Sequence, residues 1–504
     1  MSLINVYSLT FAYEGGYENI FENVSFQMDT NWKLGFTGRN GRGKTTFLNL
    51  LLGKYEYEGY IMANVNFEYF PYSLDGKSRS AIEVVNEITE GARPEEWMIE
   101  RELSLLDLPG SVLGREFETL SGGEQNKVLL AGLFLKENSF LLIDEPTNHL
   151  DMSGRENLGR YLKSKSGYIL VSHDRAFLDD CVDHILSINK ANIDVQKGNF
   201  SSWIENKRRQ DEYELAENRK LKNDIKRLSE AAKRAAQWSG ACEDSKYKRD
   251  NVIKQNDGVG KLDRGYIGHK AAKMMKRSKS IEARKLSAIE SKSSLLKNIE
   301  SSDELKICQE RYHTGTLISL DDVSITYRPD VRACENVTFT VERGDRVLLR
   351  GRNGSGKSSI LKLVCGSSEE FSYTGEFKAG SGLVISYVPQ DTSFLNGNLS
   401  SYAFMNSLDE SLFKAVLRKL DFSRVQFEKD MSEFSAGQKK KVLLAKSLCE
   451  KAHLHVWDEP LNFVDVISRI QIEELILEFK PTMLIVEHDR AFCENTATKT
   501  VLLV

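Results

Sequence analysis

Apolar runs of strand length recur near both ends of the chain, and each closes on a glycine, an acid or a histidine. WKLGFTG (32–38), FLLIDEP (140–146) and YILVSHD (168–174) lie in the first third; DRVLLRG (345–351), HVWDEP (455–460) and TMLIVEHD (482–489) lie in the last. Runs apolar at consecutive positions predict strands buried on both faces of a parallel sheet, with polar chemistry gathered at their carboxyl ends. TTFLNLLLG and SSILKLVCG follow two of these runs across a glycine-rich loop and predict helices. The middle of the chain has another period. Leu221, Ile225, Leu228, Ala232 and Ala235 alternate spacings of four and three, and Leu286, Ile289, Leu296 and Ile299, with Ser293 in the gap, continue a similar seam. This predicts two helices packed as a coiled-coil hairpin. Between them GACEDSKYKRDNVIKQNDGVGKLDRGYIGHK breaks the period and predicts the hairpin tip, about 238–268.

The two ends are copies of one another. GRNGRGKT at 38–45 recurs as GRNGSGKS at 351–358, Ser121 of LSGGE as Ser435 of FSAGQ, Asp144 as Asp458, and His173 as His488. Four motifs in one order and one spacing indicate a duplicated domain. The expected organisation is therefore an α/β protein with two P-loop domains, 1–200 and 312–504, joined by a helical hairpin over 201–311. A length of 504 residues excludes a single core, and 40% hydrophobic content with only 8 Pro excludes wholesale disorder. Net charge is only −4, but residues 201–310 hold 26 Lys and Arg against 18 Asp and Glu, so a basic middle separates two acidic ends. No apolar run is long enough to span a bilayer and MSLINVYSLT lacks a secretory leader, which predicts a cytoplasmic protein without a membrane partner. The seven cysteines contain no CxxC and read as buried or incidental thiols.

GxxxxGK[ST] wraps backbone N–H groups around phosphates, and the helix that follows presents its positive end to them. The ATP-binding candidates are Gly38, Asn40, Gly41, Gly43, Lys44, Thr45 and Thr46 in the first loop, and Gly351, Asn353, Gly354, Gly356, Lys357, Ser358 and Ser359 in the second. Lys44 and Lys357 should reach the terminal phosphates, while Thr45 and Ser358 hold Mg²⁺. Asp144 and Asp458, each ending an apolar strand, should hold the metal through water. Glu145 and Glu459, one residue on, stand where a hydrolytic water would be polarised; a helix cap is the alternative for such adjacent acids.

These motifs resemble the ATP-binding cassette superfamily over both terminal domains. LSGGEQ and FSAGQK are similar to its signature, which binds the phosphate of ATP held by the opposite domain. The resemblance implies that residues 38–45 pair with Ser435, Ala436, Gly437 and Gln438, and residues 351–358 with Ser121, Gly122, Gly123 and Glu124. It implies that His173 and His488 are catalytic switch histidines that contact the terminal phosphate, with a packing role as the alternative for a lone histidine. Tyr13 and Tyr327 resemble the aromatic that stacks on adenine, with a core tyrosine as the alternative reading. Gln390 in YVPQD fits a metal-sensing glutamine that also touches nucleotide, whereas the matching position in YFPY is Tyr72, so the first site is expected to turn over differently.

Two cassettes joined by a long basic hairpin resemble the ABC-F proteins, which act on ribosomes. Between 219 and 285 the chain carries 20 Lys and Arg against 8 Asp and Glu, a balance suited to a polyanion such as RNA. Trp238, Lys246, Tyr247, Lys248, Arg249, Arg264, Tyr266, His269, Lys270, Lys273, Lys276 and Arg277 are the candidate ribosome contacts, with rings able to stack on unpaired bases. A solvated coiled coil whose aromatics pack between the helices remains the alternative. LDRGYIGHKAAKMMKRSKSIEARK and EPLNFVD resemble the linker and second cassette of Lsa- and Vga-type resistance proteins. That resemblance implies a monomeric chain whose cassettes pair with each other. It would enter the tRNA exit site of the 70S ribosome, approach 23S rRNA at the peptidyl-transferase centre and the P-site tRNA, and protect against lincosamides, pleuromutilins and streptogramin A. ATP hydrolysis would drive release. A housekeeping ABC-F translation factor and the ATPase subunit of a drug exporter are the alternatives.

Overall fold

The computed structural model describes residues 2–503 except 14–18, 73–78, 90–93, 148–149, 190–191, 328–330, 353 and 367–370. Between 204 and 309 it describes 204–214, 216–217, 219–220, 223, 226–227, 230, 234, 269, 272–273, 276–277, 280 and 283–284. Residues 1–203 and 302–504 form one unit, and 204–301 a second.

Each end of the chain contains a parallel sheet built from the expected runs. In the first, β1 (Leu3–Phe11), β2 (Phe21–Asp29) and β4 (Glu58–Met62) form an antiparallel layer ordered β2-β1-β4. The other sheet uses β3 (Lys33–Thr37), β5 (Asn66–Phe70), β6 (Ser139–Asp144), β7 (Tyr168–Val171), β8 (His184–Ile188) and β9 (Ile193–Lys197) in the order β5-β6-β7-β3-β8-β9. All its pairings are parallel except β8 with β9. The second cassette repeats this plan. β10 (Thr316–Tyr327), β11 (Val331–Glu342) and β13 (Phe371–Ala379) make the antiparallel layer, ordered β11-β10-β13. The parallel sheet joins β12 (Arg346–Arg350), β14 (Ile385–Val388), β15 (Leu454–Asp458), β16 (Met483–Val486) and β17 (Lys499–Leu502) in the order β14-β15-β16-β12-β17.

This order places the chemistry. The glycine loop leaves the end of β3 beside the ends of β7 and β6, so Lys44, His173 and Asp144 converge although they are distant in sequence. Four glycines in the two loops have left-handed φ: Gly41 (79°), Gly43 (94°), Gly354 (86°) and Gly356 (79°). A Cβ at Gly43 would lie 2.6 Å from the Ile20 side chain, and one at Gly356 2.6 Å from the Ala333 carbonyl, so both space and conformation demand glycine. The helices that follow, Lys44–Leu51 and Lys357–Val364, therefore start with their N–H groups turned into the loop.

A helical lobe surrounds each signature: helices Ala81–Ile88 and Glu96–Leu105 precede it and Gly122–Leu135 begins in it in the first cassette, as Leu399–Met405, Glu410–Lys419 and Ala436–Cys449 do in the second. Phe413, Leu417, Met431 and Trp457 bury fully in one cluster that ties the second lobe to its sheet. Beside them, on β15, sits His455, where the first cassette has Leu141. Its Nδ1 lies 3.2 Å from Ser447 Oγ and its Nε2 is buried without a partner among the described residues. Burial lowers its pKa from 6.5 to about 4. The unfolded chain therefore binds the extra proton between those values, and stability is complete above pH 6.5 and lost as pH falls toward 4. At pH 5 the loss should be about 2 kcal/mol. Replacing His455→Leu should leave the urea midpoint near the parental value at pH 7 and flatten its decline at pH 5; parallel declines in both proteins would contradict this origin.

In the 204–301 unit the described residues are helical, and His269, Lys273, Lys276 and Arg277 are exposed. Of the hairpin expectations, the seam residues Leu221, Ile225, Leu228, Ala232, Ala235, Leu286, Ile289, Ser293, Leu296 and Ile299 lie outside the described residues. So do Trp238, Lys246, Tyr247, Lys248, Arg249, Arg264, Tyr266 and Lys270.

Candidate nucleotide-binding sites

Each loop lysine turns back into its own loop. Lys44 Nζ donates to the carbonyls of Gly38 (2.7 Å) and Arg39 (3.2 Å) and to Asn40 Oδ1 (3.3 Å); Lys357 Nζ donates to those of Gly351 (2.9 Å) and Arg352 (2.8 Å). Burial lowers both lysine pKa values, while neighbouring acids, Asp465 and Glu145 at the first and Glu459 and Asp458 at the second, pull the other way. The ammonium group is thus held in a ring of oxygens inside a loop shaped for phosphate. Tyr13 and Tyr327 take equivalent places, with hydroxyls 2.8 Å from Thr46 Oγ1 and 3.0 Å from Ser359 Oγ. Tyr13 also packs edge-on against Phe11 and Tyr55. Asn353 lies outside the described residues.

The acids end their strands as expected, but the two sites differ in what surrounds them. Asp144 Oδ2 accepts from the Tyr69 hydroxyl at 3.0 Å and from Thr45 Oγ1 at 3.5 Å. Asp458 is hydrogen-bonded by Ser358, and its buried Oδ1 has no protein partner among the described residues. Burial raises the pKa of both aspartates. An orphaned carboxylate oxygen beside a hydroxyl and a glutamine is a donor set of hard oxygens, which fits Mg²⁺ completed by water and phosphate.

Glu145 and Glu459 adopt left-handed backbone (φ 51° and 46°), which turns each carboxylate toward a histidine. His173 Nε2 lies 3.4 Å from Glu145 Oε1, and His488 Nε2 lies 3.5 Å from Glu459 Oε1. Beyond that the symmetry ends. Glu459 Oε2 accepts from Gln390 Nε2 (2.8 Å) and Asn462 Nδ2 (2.5 Å). Burial pushes Glu459 up, but His488, Gln390 and Asn462 outweigh it and hold the group below the usual carboxylate range. At Glu145, burial and then Asp144 raise the pKa to about 8. His173 is held well below its ordinary value by burial and by Lys44 and Arg469. Tyr72, which replaces the glutamine, does not line the first cavity.

The cassettes meet around these groups. A cavity of about 270 Å³ is lined by Lys44, Glu145 and His173 from the first cassette and by Ser435, Ala436, Gly437 and Arg469 from the second. Asn40 Nδ2 donates to the Phe463 carbonyl at 2.8 Å, and Arg175 pairs with Glu473 across the same junction. The second cavity, about 630 Å³, is lined by Lys357, Ser358, Gln390, Glu459 and His488, with Leu150 and Arg155 from the first cassette. Ser121, Gly122, Gly123 and Glu124 do not line it. The geometry thus brings the second signature to the first loop, but not the first signature to the second loop. Both signature serines cap their helices. Ser121 N donates to Glu124 Oε2 (2.8 Å) and Ser435 N to Gln438 Oε1 (2.9 Å), with each serine hydroxyl accepting in return, so Glu124 and Gln438 are engaged in capping boxes.

Sequence reasoning missed several participants. Arg155 pairs with Asp174 at 3.1 Å and reaches the His488 carbonyl at 3.3 Å in the other cassette; Arg469 pairs with Asp489 at 3.0 Å and lines the first cavity. The repeat carries their signal, since an arginine follows Asp151 and Asp465 by four residues in both copies. The Tyr69 hydroxyl on Asp144 carried no such signal, because Tyr387 holds the same place in the other copy without being described as bonding Asp458.

Comparison with known proteins agrees with this geometry. Residues 21–148 and 334–462 match the family described as ABC transporter. Along its length the chain is 28% identical to the ATP-binding protein Uup of Buchnera aphidicola, covering 99% of this chain and 80% of that one. It is 25% identical to the ribosome protection protein VmlR of Bacillus subtilis (98% and 85%), and 26% identical to the energy-dependent translational throttle protein EttA of Haemophilus influenzae (95% and 88%). Among solved structures, an archaeal ribosome recycling factor, aABCE1, in complex with the ribosomal stalk protein aP1, superposes with a TM-score of 0.60 at 18% identity, over 98% of this chain and 87% of that one. That likeness is one of fold.

Proposed function

Because the chain belongs to the ABC transporter family, as a tandem-cassette ATPase of its ABC-F group that binds and hydrolyses ATP, we propose that it works on the ribosome rather than at a membrane. The observation that carries this is the basic segment between the cassettes, whose described residues His269, Lys273, Lys276 and Arg277 present exposed helical positions suited to a phosphate backbone. Among the described residues no helix is long and apolar enough to cross a bilayer. In this reading Thr45 and Asp144, and Ser358, Gln390 and Asp458, hold Mg²⁺ with ATP. Glu145 and Glu459, each beside its histidine, polarise the water. ATP draws the cassettes together, the closed protein occupies the tRNA exit site of the 70S ribosome, and hydrolysis releases it. ATP can drive such a cycle because it binds the closed form more tightly than the open one.

The finer reading is protection against drugs of the peptidyl-transferase centre. It is supported by the resemblance of the linker to Lsa- and Vga-type proteins and by similarity to a protein named for ribosome protection. Similarity of the same order to a translational throttle supports a housekeeping factor equally. One experiment separates them. Expressed in a drug-sensitive Gram-positive host, the protein should raise the inhibitory concentrations of lincomycin, a pleuromutilin and a streptogramin A, and leave an unrelated antibiotic unchanged. Ribosome pelleting without any change in susceptibility would select the housekeeping factor; recovery in membrane pellets would overturn ribosomal action altogether.

A further inference from the structure

The cavities at the two loops differ in volume and lining, and one acid touches the loop of the smaller one from the opposite cassette. Asp421 follows the helix Glu410–Lys419 in the second cassette's helical lobe, fourteen residues before Ser435, with a left-handed φ of 66°. Its carboxylate faces the phosphate loop of the opposite cassette: Oδ1 lies 3.5 Å from Arg42 Nη2 and 3.9 Å from Arg39 Nη1. The contact continues inward. Lys441 Nζ donates to the Leu420 carbonyl at 2.7 Å and pairs with Asp465 at 2.6 Å, and Asp465 caps the helix Val466–Phe479 that carries Arg469 into the first cavity.

The repeat supplies its own control. Asp107 stands fourteen residues before Ser121, also with left-handed φ (58°), but its Oδ2 accepts from Asn157 Nδ2 of its own cassette at 3.0 Å. On the facing loop Arg352 matches Arg39, but the counterpart of Arg42 is Ser355. The cavity at the loop that carries the arginine pair has about 270 Å³ and is lined by the opposing signature; the cavity at the other loop has about 630 Å³ and is not.

We propose that Asp421 is a positioning residue of the first ATP site, clamping the loop 38–45 against the second signature through Arg39 and Arg42. The first site thereby becomes the one from which nucleotide leaves slowly, while the second exchanges freely. This rests on the reading of both loops as ATP sites. Charges at the rim of a junction act on encounter, whereas truncating one partner of a buried pair acts on separation; with the Arg39 side chain buried, loss of Asp421 should appear in dissociation.

The test uses the full chain, a fluorescent ATP analogue and a chase with unlabelled ATP, in a Glu145→Gln, Glu459→Gln background that removes hydrolysis. Release should be biphasic, with Lys44→Ala deleting the slow phase and Lys357→Ala the fast one. Asp421→Asn should accelerate the slow phase by roughly three- to tenfold and leave the fast phase unchanged. Asp421→Glu should preserve the slow phase, and Asp107→Asn should change neither. Arg42→Ala is the second variant: alone it should accelerate the slow phase, and combined with Asp421→Asn it should add nothing further. A slow phase that Lys44→Ala deletes but neither Asp421→Asn nor Arg42→Ala accelerates overturns the clamp. A slow phase that survives Lys44→Ala overturns the site reading on which it rests.

Discussion

Glu145→Gln combined with Glu459→Gln should lower ATP hydrolysis by about 10²–10⁴-fold while leaving ATP bound, because glutamine keeps the shape of the side chain and removes its basicity. Each glutamate follows a strand-terminal aspartate and faces a histidine at 3.4–3.5 Å. The single variants should be unequal. Glu459 is oriented by Gln390 and Asn462 and held below the usual carboxylate range, whereas Glu145 is pushed up to about 8. Glu459→Gln should therefore remove most of the steady-state rate near neutral pH, and Glu145→Gln the smaller share. Phosphate release by purified protein checks this, and pelleting with ribosomes in ATP should show the double variant retained. Parental turnover by the double variant would remove both carboxylates from the reaction.

Gly437→Ala should reduce ATP turnover by roughly five- to a hundredfold, whereas Gly123→Ala at the matching place should stay close to the parental rate. A Cβ at Gly437 would lie 2.3 Å from the Phe463 carbonyl oxygen and 3.1 Å from Asn40 Nδ2. Those two atoms are themselves the donor and acceptor that join the cassettes at the first site. A backbone oxygen cannot step aside as a side chain can, so the added methyl must displace the loop that carries it. Overpacking of this kind costs about 1–3 kcal/mol, and every 1.4 kcal/mol is roughly a tenfold loss of the closed arrangement. At Gly123 the new methyl would meet only Leu150 Cδ2, at 3.1 Å, the end of a flexible side chain. Steady-state rates of the two variants decide the matter; equal effects would mean that the junctions are equivalent in solution.

Much of this architecture was legible in the sequence. Buried parallel strands announce themselves as unbroken apolar runs, and Asp144, His173, Asp458 and His488 stand at or just past their polar ends. That Tyr72 stands where the second copy has Gln390 was also visible in the repeat, and Gln390 bonds Glu459. What stayed hidden were contacts made across the cassette junction: Asp421 with Arg39 and Arg42, Asn40 with Phe463, and Arg155 with His488. None of these has a local period or a motif, since each joins positions more than three hundred residues apart whose proximity depends on how two finished domains dock. The capping role of Glu124 and Gln438 was available, because Ser-x-x-Glu and Ser-x-x-Gln at a helix start carry that meaning alone.

Asn462 and Phe463 line both cavities, and Phe463 does so from left-handed backbone (φ 63°). A wall shared by two chambers is a physical route between their occupancies. Asn462 donates to Glu459 on one side, while the next carbonyl accepts from Asn40 on the other. Any shift of this loop that favours one ligand is therefore felt by the second. Whatever factor filling one chamber imposes on affinity in the other must be returned unchanged in the opposite direction. The loop at 462–463 is thus the common register through which any such exchange would pass.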